Sequence, residues 1–298
     1  MSPFKRAHIA LLAALLFVAG CSSHSASEDS FTSPSITTDT VTSAPASGSN
    51  RAGDSSEKLN QPLPEANSAF QDSRMDQGLT YQYVTDYLTA VVKDADRVWV
   101  EYFASIGLRE PDVYYTIIQP DTAYESQCSA TPLESTYNNA TYCPIDVIDG
   151  FTGAIWLPAD TFANMWNGSI FTRQSVRKGD FGAAVVTAHE FGHHIQHELK
   201  DQLGWPEIKA ADGSRIKEGE LIADCFAGNW AFSAFYSNYL EAGDIEEGVA
   251  ALIAIGDSEP GGDDPHGSPT ERAEAFMLGY NSGAPADCIN EYWPGVTV

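Results

Sequence analysis

The chain has 298 residues with 16 basic and 41 acidic side chains, a net charge of −25 that becomes −27 without residues 1–20, which hold Lys5 and Arg6 and no acid. Nucleic-acid binding needs a basic footprint along the phosphate backbone, so this composition argues against a nucleic-acid partner. The same acidity repels anionic lipid headgroups, so any hold on a membrane has to come from a tether and not from the protein surface.

Lys5 and Arg6 precede an uncharged apolar run over 9–19. Its eleven residues fall short of the roughly 20 that span a bilayer, so residues 1–20 read as a signal peptide and not as a permanent anchor. The run closes on Val18-Ala19-Gly20-Cys21, which resembles the bacterial lipobox and implies that Cys21 becomes the lipidated first residue of the mature protein. The expected location is the bacterial cell envelope, on the outer side of the cytoplasmic membrane, with the lipid at Cys21 as the contact with the bilayer. Ser, Thr, Ala, Pro, Gly and Asp dominate residues 22–68, with too few large apolar groups to offset the entropy of ordering. The stretch 21–75 is therefore predicted to be a disordered tether with a reach of roughly 40 Å. Residues 76–298 fit one domain with a single core.

Four cysteines remain, Cys128, Cys143, Cys225 and Cys288. An even set in an exported chain with no CxxC pair points to two disulfides and not to thiolate metal ligands. Three pairings are possible. The preferred one joins Cys128 to Cys143 across a local loop and Cys225 to Cys288, tying the C-terminal tail to an upstream helix.

Within the domain, Val84, Tyr87, Val91, Ala95, Val98 and Tyr102 recur at helical spacing and predict a helix from about residue 79 to Ile106, ended by Gly107. The β-branched and aromatic run 113–118 reads as a strand stopped by Pro120, and 151–157 as a second, ended by Pro158. This second strand is a candidate sheet edge for pairing with an extended peptide, or else an ordinary sheet strand. Residues 180–200 carry Phe181, Ala184, Val185, Ala188, Gly192, Ile195 and Leu199 as one apolar helical stripe. Residues 201–215 read as a loop, and 216–240 as another helix with Leu221, Cys225, Gly228, Phe232, Phe235 and Tyr239 as its core face. Asp244 with Glu247 resembles a capping box opening a helix to about Ile255. The Pro, Gly and Asp of 259–265 read as a loop. Ser268-Pro269-Thr270-Glu271 combines an N-cap serine, proline at the first helical position and an acid three residues on, a strong helix start.

The chemistry concentrates on His189-Glu190-Phe191-Gly192-His193. Two imidazoles four residues apart on a helix lie on one face and can close on a single metal ion, while Glu190 falls beside the ion, where it reaches a bound water and takes its proton. A catalytic zinc site takes three protein ligands and leaves one position open, and Glu220 completes a His189, His193, Glu220 set. Asp224, one turn further on, is placed to hold the second nitrogen of a ligand histidine. His266, just before the rigid helix start, is a candidate oxyanion stabiliser; the alternative is a solvated loop histidine. His193 and His197 are also four apart but lack an acid directly after the first, so His194 and His197 read as helix-surface groups or as supports behind the ligands. Gln196 and Leu199 stand where a metzincin would have glycine and its third histidine, which rules that pattern out.

The runs 189–196 and 220–230, with His266-Gly267-Ser268 and Glu271-Arg272 and the upstream Tyr142-Cys143-Pro144, resemble the bacterial neutral zinc metallopeptidases over about residues 79–288. Ile222 and Glu271 depart from that pattern, which has glutamine at both places; neither is a proposed ligand. The resemblance implies an α+β, zincin-like domain of gluzincin type, mainly helical with a small sheet, and peptidase chemistry. The resulting expectation is a zinc enzyme, one Zn²⁺ per chain, acting on peptide or protein substrates in the envelope with Glu190 as general base. The competing expectation is a catalytically silent envelope lipoprotein that keeps the fold as a binding or assembly module.

Overall fold

A computed structural model describes residues 55–56, 58–64, 81–170, 174–175, 177–237, 239–257 and 265–298, which belong to the unit Ser47–Val298. The expected signal peptide, Cys21, most of the expected tether and most of the stretch 259–265 read as a loop lie outside the described residues. Helix α1 (Tyr81–Ile106) forms on the predicted stripe, and all six residues named for it are buried. A three-stranded sheet follows, in the order β1 (Tyr114–Ile118), β5 (Phe151–Pro158), β4 (Thr141–Ile148), with β1 parallel and β4 antiparallel to the centre. Short pairs β2 (Ala123–Tyr124) with β3 (Leu133–Glu134), and β6 (Ser169–Ile170) with β7 (Gln174–Ser175), complete the strands described. The fold is thus mixed α+β and mostly helical.

Of the two roles open to the second predicted strand, sheet edge or ordinary sheet strand, β5 takes the second, as the central strand. Both of its edges are taken, and Gly153 to Pro158 are all buried, as in a strand covered on both faces. The edges are β1 and β4; β4, which has Pro144 inside it, is a strand for which the sequence gives no strand signal. Proline is tolerated on edge strands and at bulges, and the β4–β5 register shifts between Cys143 and Val147.

Five further helices carry the site and its supports, after α2 (Ala159–Trp166), a helix the sequence reading missed beyond Pro158. Helix α3 (Phe181–Leu203) runs one turn into the expected loop before Gly204, at φ 69°, ends it. Helix α4 (Glu218–Tyr236) is buried on every side from Leu221 to Ala231, so it has no solvated face, and Phe235, expected in the core, is 50% exposed where the last turn emerges. In α5 (Asp244–Ile255) the capping box does not form: Gly243 is the N-cap, and Asp244 accepts instead from the Glu241 N–H at 2.7 Å. In α6 (Pro269–Ser282) the Ser268–Glu271 capping box is complete. The C-terminal α7 (Pro285–Tyr292), not anticipated, packs on α4 and α6.

The disulfides are Cys128–Cys143 and Cys225–Cys288, the preferred pairing. One stretch of the expected tether is ordered against the body. Leu59 and Leu63, four apart, are buried; the Leu59 carbonyl accepts from Tyr102 Oη and the Ala286 N–H, both at 3.0 Å, and the Leu63 N–H donates to Gly283 O at 3.0 Å. Burial of the two leucines offsets the ordering entropy that a Ser/Thr/Gly composition could not. No helix among the described residues is long and apolar enough to cross a membrane.

Candidate active site

Helix α3 lies close against α4 at Gly192, where a Cβ would stand 2.7 Å from the Ala223 carbonyl oxygen. Because glycine admits that approach, Glu220 comes up against both histidines of α3. His189 Nε2 lies 3.4 Å from one Glu220 oxygen and His193 Nε2 3.5 Å from the other. One donor atom from each of the three lies within 4.8 Å of the others. Tetrahedral zinc with bonds of about 2.0–2.1 Å needs donors about 3.3–3.4 Å apart, so this set fits a zinc ion in both chemistry and spacing. Burial works against charge on Glu220, but His193 and His189 hold its carboxyl well below the usual range, leaving an anionic ligand.

Behind the triangle, His189 Nδ1 is 2.7 Å from Asp224 Oδ1. The carboxylate accepts, so Nδ1 carries a hydrogen and Nε2 is the nitrogen turned toward Glu220 and the donor triangle. Asp224 is completely buried, and what keeps it company is a residue to which the sequence reading gave no role: Arg272, 2% exposed, donates Nε to Oδ2 at 2.7 Å and Nη2 to Oδ1 at 2.8 Å. Burial opposes the charge on Asp224, but Arg272 first and His189 next pull its carboxyl below the ordinary value.

Glu190, 6% exposed, and His266 line the same open cleft as the three donors, a cavity of about 1260 Å³. All the residues singled out in the sequence as ligands, base and oxyanion stabiliser therefore line one cleft. His266 is not a free loop histidine. Its N–H donates to Asp257 Oδ2 at 2.6 Å, and its Nδ1 stands 3.4 Å from Asp257 Oδ1. Asp257, also on the cleft, carried no signal in the sequence, since only the return of the chain through Gly267 O to Asp257 N sets the two residues together.

His194 and His197 stay outside the donor triangle. His194 is buried, not on the helix surface: its Nε2 faces the Pro111 carbonyl at 2.9 Å and so donates, leaving Nδ1 to accept from Tyr142 Oη at 3.2 Å. Burial lowers its pKa to about 4, so it stays neutral. His197 Nδ1 also contacts Tyr142 Oη, at 2.9 Å, while its Nε2 is 3.3 Å from Asp201. Tyr142 thereby fastens the cleft-lining edge strand β4 to α3.

A family model described as "Putative neutral zinc metallopeptidase" matches residues 52–290. The chain belongs to this family. Membership implies zinc as the ion for the His189, His193, Glu220 triangle. Among curated proteins, the chain is 34% identical over 161 residues to "Uncharacterized protein YpfJ" of Escherichia coli (strain K12), covering 49% of this chain and 52% of that protein. It is 32% identical over 168 residues to "Uncharacterized protein Mb2605" of Mycobacterium bovis, covering 49% and 53%. The chain thus matches about half the length of these relatives. No solved structure matches it.

Proposed function

We propose that the chain is a zinc metallopeptidase of zincin-like, gluzincin-type fold, exported by residues 1–20, lipid-anchored at Cys21 and acting on peptide or protein substrates at the outer side of the cytoplasmic membrane. The observation that carries the peptidase reading is the meeting of His189, His193, Glu220 and the buried carboxylate of Glu190 on one open cleft. Metal binding by itself has no use for Glu190. A single zinc ion on the three ligands would supply Lewis-acid polarisation of a carbonyl oxygen and of an attacking water. Glu190 then takes the proton of that water on its carboxylate and returns it to the leaving amine nitrogen. With Asp257 on its Nδ1 side, His266 is left with Nε2 to hydrogen-bond the oxygen that gains charge. The edge strand β4, whose Thr141, Tyr142 and Pro144 line the cleft, offers main-chain groups to an extended substrate.

The deciding experiment compares wild type with Glu190→Ala on a broad peptide library and on the peptide termini of cell envelopes. We expect unchanged zinc content and a rate lower by about 10² to 10⁴. Equal cleavage by both, or no cleavage by either while both hold zinc, would overturn the peptidase reading and leave a binding or assembly lipoprotein.

A further inference from the structure

We infer that Arg272 is a positioning residue for the metal centre, acting through Asp224 to set the ring orientation and tautomer of His189. The inference rests on the reading of His189, His193 and Glu220 as zinc ligands. Its basis is a continuous set of buried contacts. The Arg272 guanidinium meets Asp224 with two parallel bonds, Nε to Oδ2 at 2.7 Å and Nη2 to Oδ1 at 2.8 Å, and Oδ1 stands 2.7 Å from His189 Nδ1. A planar fork with donors only fixes the plane of the carboxylate as well as its charge, which a lysine ammonium cannot do. Oδ1 must then accept from His189, and the imidazole is held with Nε2 toward Glu220, 3.4 Å away.

The aim of the fork comes from helix packing. A Cβ at Gly228 would overlap the Phe276 carbonyl oxygen, and one at Gly279 the Cys225 carbonyl oxygen, so α6 lies backbone to backbone on α4. Asn229 Nδ2 donates to Gly279 O at 3.0 Å across the same contact. Glu271, next to Arg272, is paired with Lys217 at the start of α4. A buried guanidinium is costly, and such a pair is weak evidence for stability; its use here is the order it imposes on a ligand.

The test uses the full chain and the variants Arg272→Lys, Arg272→Gln, Asp224→Asn and Arg272→Lys with Asp224→Asn. Zinc affinity is read by chelator competition, ligand geometry by the visible spectrum of the cobalt-substituted protein, and folding by thermal unfolding of the zinc-free forms. Arg272→Lys and Asp224→Asn are each expected to weaken zinc by about 10- to 100-fold and to alter the cobalt spectrum. Arg272 Nη2 also lies 3.4 Å from His189 Nδ1, a longer contact than either bond to Asp224, so the double variant should bind little more weakly than Asp224→Asn alone if the arginine acts chiefly through the carboxylate. Should Arg272→Gln fail to fold, Arg272→Lys keeps the buried positive charge and carries the comparison. Wild-type affinity and cobalt spectrum in Arg272→Lys, with or without lost thermal stability, would mark a purely structural residue and overturn the inference, as would additive losses in the double variant. A wild type that takes up no zinc overturns the ligand reading itself, a separate failure.

Discussion

Glu220 is the proposed ligand whose charge the fold must protect, since it is partly buried on α4 yet anionic beside the two histidines of α3. Glu220→Gln keeps the volume and removes that charge, and His193→Ala removes a donor outright. Either should take the protein from about one zinc per chain to far below stoichiometry in elemental analysis, since a site of this class relies on all three ligands; full occupancy in both would discard the ligand set. His266→Ala should leave zinc in place and lower kcat by about 10²-fold with little change in KM, as when one oxyanion donor is lost. An unchanged kcat would return His266 to an ordinary loop residue. His189, Glu190 and His193 were legible because helical spacing alone puts them together. Asp257 and Arg272 were not, because their partners lie on other elements and no local spacing reports them.

Among the described elements, α4 and α6 form the most extensive contact. Gly228 and Gly279 allow it, so Gly279→Ala forces the helices apart. It should destabilise the fold by about 1–3 kcal/mol or more, the usual cost of overpacking, and weaken zinc as Arg272 withdraws from Asp224. Chemical denaturation and chelator competition on one preparation would check both; wild-type stability would show the contact to be compliant. The Cys225–Cys288 disulfide ties α7 to the same helix, and its removal should cost about 2–5 kcal/mol. Periodicity located α1, α3 and α6 well because each has a clear apolar stripe or a capping box. It misread the surroundings of α4, whose residues are apolar on all sides because neighbours cover all sides, and it missed β4, where Pro144 masks a strand that an edge position and a bulge accommodate.

For the whole molecule, acidity has a local cost. Asp180 and Asp244, both buried, share a small volume with Glu247 at the start of α3. Burial, then the neighbouring carboxylates, push Asp180 up to about 7; burial raises Asp244 to about 6 and Glu247 to about 7. In the unfolded chain these groups titrate near pH 4, so between about pH 4 and 7 the folded state binds more protons and stability falls as pH rises. The penalty is absent below that window and complete above it. Asp180→Asn should therefore raise the Tm at pH 8, by on the order of 1–2 kcal/mol of stability, and leave it nearly unchanged at pH 4; an equal effect at both pH values would mean that titration is not the cause. The docked segment makes a separate prediction. Leu59→Ala should cost about 2–5 kcal/mol as a core truncation, whereas a segment of true tether would give no change in thermal unfolding.

By itself the sequence determined the helix that carries His189, Glu190 and His193 on neighbouring positions, and the acidic character, because these follow from spacing along one helix or from composition; Glu220 came from a second helix, and the cysteine pairing was one preferred out of three. Only the tertiary structure decided that β5 is the inner strand, that residues 58–64 belong to the body, and that Asp257 and Arg272 stand behind His266 and Asp224. Those relations are contacts between distant segments, set by how closely two backbones approach at Gly192, Gly228 and Gly279, and the approach depends on the shapes of both partners at once.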